Sequence, residues 1–133
     1  MLVLARRGVD VRLLVPLKSN HVVADWLSRG YFSQLLGAGV RIFRFKDAMV
    51  HAKTSTVDGS WSTVGTANID RLSLTGNYEI NVEVIDQGLA KTLEDIWTVD
   101  ESNCIELTMG EWEARDLHRR FTEMVLRPLR PFL

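Results

Sequence analysis

Cysteine is nearly absent from this 133-residue sequence: Cys104 stands alone. One thiol can form neither an internal disulfide nor a thiolate metal cage, so neither holds the fold. An excess of one charge is lacking too, with 16 Lys+Arg against 17 Asp+Glu and a formal net charge of −1. Such a chain carries no global basic field, so duplex nucleic acid is not an expected partner. No run approaches the ~18–20 uninterrupted apolar residues of a membrane-spanning helix. The N-terminal stretch is broken by Arg6 and Arg7 and has no small-residue cleavage site after it, so it does not read as a signal peptide. Internal repeats and low-complexity segments are also missing. What is present is 46% hydrophobic and 25% charged residues, the balance of a packed globular core. The length suits one domain, or one lobe of a larger one.

Local patterns alternate between helix and strand. Met1 to Arg7 are good helix formers, and Gly8 stands where a helix C-terminal cap belongs. Val11, Leu13 and Val15 alternate, predicting a strand that ends near Pro16. Ser19 or Asn20 is placed to cap a helix whose apolar positions run from Val22 to Leu36, with Trp26, Tyr31 and Phe32 as core candidates and Gly37 and Gly39 at its end. Strands follow at Val40–Phe45, at Met49–Val57 and at Ser62–Val64, the last two joined by an Asp58-Gly59 turn. A further strand covers Ile80–Ile85. A helix is expected over about Leu89–Trp97, with Leu89, Leu93, Ile96 and Trp97 as its buried stripe, and a last helix over about Gly110–Leu126. The fold class is therefore α/β, a layered mixed β-sheet flanked by helices.

The segment from Val50 to Asn68, VHAKTSTVDGSWSTVGTAN, carries the chemistry. His51 and Lys53 are two apart on a predicted strand, so both side chains share a face. An imidazole beside an ammonium suits phosphodiester cleavage: the ring attacks phosphorus while the cation offsets charge on the non-bridging oxygens. Asp58 sits at the turn and reads as structural, bonding backbone or a nearby basic group. After the turn, Thr66 and Asn68 offer a hydroxyl and an amide two residues apart, both able to donate to a phosphate. Gly65 is expected to let the backbone approach the substrate. Taken singly, each has a plainer reading: His51 as a satisfied polar residue, Lys53 as a solvated cation, Thr66 and Asn68 as local caps.

Together these positions spell H-x-K-x4-D followed by G-[ST]-x-N, and this resembles the signature of the phospholipase D superfamily, with Thr66 where many members have serine. Gly8-Val9-Asp10-Val11, Gly39-Val40-Arg41-Ile42, Asn68-Ile69-Asp70-Arg71-Leu72-Ser73 and Asn77-Tyr78-Glu79-Ile80-Asn81 are similar to segments of its cardiolipin synthase branch. The resemblance implies a phospholipase D-like lobe over residues 1–133, with His51 as nucleophile, Lys53, Thr66 and Asn68 on the phosphate, and Glu79 orienting His51 by a hydrogen bond, as a carboxylate fixing the tautomer would. It also implies a phosphohistidine intermediate, no metal and no cofactor. The expected reaction is a phosphatidyl transfer that makes cardiolipin and glycerol from phosphatidylglycerol. A hydrolytic phospholipase D, a phosphodiesterase or nuclease, and an inactive folded module for partner or membrane contact are the alternatives.

Only one such motif is present. His21 and His118 lack a lysine two residues on, since Val23 and Arg120 stand there. The chain thus holds half of a two-motif site, and reads as a C-terminal piece lacking its first strand and a partner lobe, supplied by a longer chain or by a homodimer. Partners implied are a phospholipid substrate and the surface of the bacterial cytoplasmic membrane, not nucleic acid. Residues 111–133 are expected to form a basic amphipathic helix, with Arg119, Arg120, Arg127 and Arg130 beside Leu117, Phe121, Met124 and Val125. It suits an anionic membrane or packing on a second lobe.

Overall fold

The computed structural model describes residues 1–17, 31–46, 50–67 and 78–115. In chain order the elements are α1 (Leu2–Arg6), β1 (Arg12–Pro16), α2 (Phe32–Gly37), β2 (Arg41–Phe45), β3 (Thr54–Val57), β4 (Trp61–Gly65), β5 (Asn81–Ile85), α3 (Gln87–Ser102), β6 (Cys104–Leu107) and α4 (Met109–Glu113). They divide into two compact units, one drawn from residues 1–17, 31–46 and 104–115, the other from residues 50–67 and 78–103.

The first unit is a mixed sheet in the order β1-β2-β6, with β1 and β2 parallel and β2 and β6 antiparallel. Its two parallel strands begin alike. Helix α1 ends with the Gly8 N–H on the Ala5 carbonyl and the Val9 N–H on the Leu4 carbonyl, and α2 ends with the Gly39 N–H on the Leu36 carbonyl and the Val40 N–H on the Leu35 carbonyl. Both are Schellman caps, which need a left-handed residue at the turn, and Gly8 and Gly39 supply φ of +87° and +91°. The two Gly-Val dipeptides thus turn helix into strand at equivalent places. Val40, Ile42, Leu107, Phe32, Leu35, Ala5, Ala38 and Trp112 form the buried core, with Val11, Leu13 and Val15 packed against it. Phe32 and Trp112 lie 5.3 Å apart between ring centroids, and the Trp112 indole donates to the Ser33 hydroxyl at 2.7 Å. A buried indole N–H is thereby satisfied.

Strand β6 had no counterpart in the sequence reading. Its four residues, Cys104 to Leu107, complete the sheet on the far side of β2, and Leu107 is buried. Helix α4 starts at Met109, where Thr108 and Glu111 form a capping box, each side chain accepting from the other's backbone N–H. The helix expected over Gly110–Leu126 does not run on unbroken. Its described part ends at Glu113, and just beyond it the Arg115 guanidinium donates to the Trp112 carbonyl at 2.6 Å. Residues 116–133, and with them most of the expected basic helix, lie outside the described residues, as do residues 18–30 with Trp26 and His21. Of the aromatics assigned to the core nearby, Phe32 is buried while Tyr31 is exposed.

The second unit is a separate antiparallel sheet, β3-β4-β5, rather than a continuation of the mixed one. Asp58 and Gly59 both take positive φ, +50° and +61°, and the Ser60 N–H reaches the Val57 carbonyl, so the turn has the mirror-image form that matches strand twist. Helix α3 packs on β3 and β4. The Asp86 carboxylate caps it, accepting from the Leu89 N–H at 2.7 Å. Ala90 is buried and Leu89, Leu93 and Trp97 half-buried, a stripe spaced by four; Ile96 falls off that stripe and is 52% exposed. Among the described residues no helix is long and apolar enough to cross a membrane.

Candidate phosphoryl-transfer half-site

The second unit holds every described residue of the motif. Strand β3 is shorter than the Met49–Val57 span expected, so His51 and Lys53 precede it rather than lie on it. The ladder nonetheless reaches back: the Gly65 N–H donates to the Lys53 carbonyl at 3.0 Å. Lys53 therefore stands opposite Gly65, and Gly65 pairs with Asn81 in the β4–β5 register. Alternation puts Lys53, Gly65 and Asn81 in one row across the sheet. Past that row the regular pairing ends, and the Ala67 N–H turns to the Asn81 side chain. His51 is exposed and Lys53 half-buried. The Lys53 ammonium donates to the His51 carbonyl at 2.9 Å, which holds the cation against the backbone of the residue whose ring would attack phosphorus.

Thr66 and Gly65 behave differently from expectation. The Thr66 hydroxyl accepts from the Ile80 N–H at 3.0 Å and donates to the Ile80 carbonyl at 3.4 Å, while the Thr66 N–H reaches the same carbonyl at 3.0 Å. This side chain pins β4 to the start of β5. The space left by Gly65 is not open to a substrate. A Cβ there would collide with the Asn81 amide oxygen and the Ile80 carbonyl, and would lie 2.7 Å from the Asn81 Cα. The glycine lets β5 come close, and that corrects its assigned role. Asn68 lies outside the described residues.

Asp58 is exposed at the turn tip and its left-handed φ is its structural contribution. Glu79 is half-buried just before β5. It makes no hydrogen bond to His51. Among the described residues no cluster of three His, Cys, Asp or Glu side chains is placed to hold a metal ion. One contributor escaped the sequence reading. The Asn81 amide oxygen accepts from the Ala67 N–H at 3.3 Å, a link visible only once the strands are in register.

Comparison with known proteins agrees with this arrangement. A family model described as "Cardiolipin synthase, PLD-like domain" matches residues 1–98. A cardiolipin synthase of Clostridium perfringens is 33% identical over 129 residues, which is 97% of this chain and 27% of that protein. Cardiolipin synthase A of Pectobacterium carotovorum is 38% identical over 97% of this chain and 26% of its own length. The chain therefore spans about a quarter of the length of these relatives. The crystal structure of Nuc, a phospholipase D family member from Salmonella typhimurium, superposes with a TM-score of 0.66 at 18% identity, covering 80% of this chain and 70% of that one. With the histidine–lysine pair, the pinned turn and nearly full-length similarity in agreement, the chain belongs to the phospholipase D-like family of cardiolipin synthases.

Proposed function

We propose that this chain supplies one histidine–lysine half of a phosphatidyltransferase site that makes cardiolipin from phosphatidylglycerol. The observation that carries the reading is the His51–Lys53 pair, tied by the 2.9 Å ammonium–carbonyl bond and joined through Lys53 to the Gly65–Thr66 end of β4. In this reading the His51 ring attacks phosphorus, a P–N bond forms, and the P–O bond to the glycerol headgroup of one phosphatidylglycerol breaks. A histidine of a second, paired motif gives its proton to the leaving glycerol oxygen. The headgroup hydroxyl of a second phosphatidylglycerol then returns a proton to that histidine, forms the new P–O bond and releases His51. Lys53 and Asn68 offset the phosphoryl charge. Glu79 steadies the imidazolium by accepting a hydrogen bond from the His51 ring once substrate is bound. Thr66 serves chiefly by fixing the position of that turn, and contacts the phosphate only if its weak bond to the Ile80 carbonyl yields.

The same reading assigns residues 1–133 to one lobe of a two-motif arrangement, completed by a second lobe of a longer chain or by a second copy. It assigns the basic segment 117–133 to an anionic membrane surface. The test is a lipid assay on phosphatidylglycerol vesicles, with products resolved by mass. Protein containing both motifs forms cardiolipin, and His51→Ala lowers that rate by about 10³-fold or more, since covalent catalysis is lost. Phosphatidic acid as sole product points to hydrolysis instead. Full activity in His51→Ala, or turnover by this chain as a strict monomer, overturns the half-site assignment.

A further inference from the structure

We infer that Asn81 is a positioning residue of the phosphate site, acting through the backbone of Ala67. The inference rests on the reading above that Lys53 and Asn68 meet a phosphate beside the turn that Thr66 fixes. Four hydrogen bonds clasp the end of β4 to the start of β5. Three of them join Thr66 to Ile80 and involve no side chain at position 81: the Thr66 N–H and hydroxyl donate to the Ile80 carbonyl at 3.0 and 3.4 Å, and the Ile80 N–H donates to the Thr66 hydroxyl at 3.0 Å. The fourth, from the Ala67 N–H to the Asn81 amide oxygen at 3.3 Å, depends on the side chain. It follows directly on the regular pairing of β4 and β5, which ends at Gly65 and Asn81, and it draws toward β5 an N–H that strand alternation would aim at the β3 side.

The position of Asn81 is fixed by its neighbours. Gly65 stands opposite it, and the glycine has no Cβ because the Asn81 amide oxygen occupies that space. A side chain that fills the hollow over Gly65 and reaches the Ala67 N–H holds the Thr66–Ala67 peptide plane. It does so in the row that also contains Lys53. The oxygen is the positioning atom: a backbone N–H needs an acceptor, and the two-atom reach of asparagine is what spans from β5 to the residue two beyond its partner in the strand pairing.

The consequence concerns the geometry of the turn and not the chemistry of the step. Asn81→Leu keeps side-chain size and removes the acceptor; Asn81→Asp keeps an acceptor at the same reach. The experiment uses the 133-residue chain and two readouts: amide hydrogen exchange by NMR, and affinity for inorganic phosphate from chemical-shift titration. In Asn81→Leu the Ala67 amide should exchange about tenfold faster, as expected for one lost hydrogen bond, while the amides of Val82 to Ile85 keep their protection. Phosphate affinity should fall about fivefold or more in the same variant. Asn81→Asp should hold the Ala67 amide at wild-type protection. Unchanged phosphate affinity in Asn81→Leu overturns the inference. Loss of protection along the whole of β5 overturns it as well, because Asn81 would then support the sheet and not the site. Wild-type chain that binds no phosphate defeats the functional reading on which the inference stands, and the exchange readout separates that failure from the other two.

Discussion

Gly65 shows how one missing side chain can organise a site. With no Cβ it admits the Asn81 amide and the Ile80 carbonyl into the place a side chain would fill. That approach brings the first residues of β5 onto Thr66 and Ala67, where the clasp forms. Alanine at this position meets backbone, which cannot swing aside as a flexible side chain would. Gly65→Ala should therefore cost about 1–3 kcal/mol of stability, the range for forcing atoms into an occupied space. Denaturant unfolding checks the cost, and faster exchange at the Thr66 and Ala67 amides shows where it falls. A variant as stable as wild type, with those amides still protected, would mean the strands do not pack as described.

Elements are tied together by a few specific pairs, and the pair between β2 and β6 is sensitive to pH. The Arg41 guanidinium makes a two-pronged contact with the Glu106 carboxylate, at 2.8 and 2.9 Å, and lies over the Phe43 ring. The Arg41 hydrogen bond is the main cause that holds the Glu106 carboxyl below its ordinary value of 4.5, against the opposing effect of burial. A carboxyl lowered in the folded state contributes stability above its unfolded value, and loses it as pH falls through the folded one. Both side chains are 41% exposed, so solvent screening limits the contribution to roughly 0–1 kcal/mol. Wild type should lose slightly more stability than Glu106→Gln between pH 7 and pH 3.5, measured as the shift in urea midpoint. Equal shifts would show that the pair contributes nothing. Capping follows a similar logic in α3 and α4, where Asp86 and Thr108 each satisfy an N–H that the helix cannot.

Across the whole molecule the near balance of 16 basic and 17 acidic residues sets what the chain attracts. A net charge of −1 leaves little counterion release to gain on a polyphosphate backbone. Duplex DNA should bind no more tightly than the weak non-specific limit of ~10⁻⁴ M at physiological salt, by fluorescence anisotropy. Salt-dependent binding stronger than that would favour a nuclease reading over a lipid one. The single motif has a consequence at this scale as well. On the proposed reading one histidine of a two-histidine mechanism lies in this chain, and the proton for the leaving group is delivered by a second motif.

Pattern and motif were legible in the residues because they depend on near neighbours. Two Gly-Val dipeptides after helices, the alternation of Val11, Leu13 and Val15, and the spacing of His51, Lys53, Asp58, Gly65, Thr66 and Asn68 all lie within short stretches of chain. The cardiolipin synthase resemblance followed from those spacings and agrees with the family match. Strand pairing decided the rest. That β6 completes the first sheet, that the motif strands form a sheet of their own, that Gly65 makes room for Asn81, and that the Asn81 side chain reaches the Ala67 N–H are relations between residues up to 65 positions apart. No local pattern encodes them, since a one-residue change of register would turn the same side chains to the opposite face.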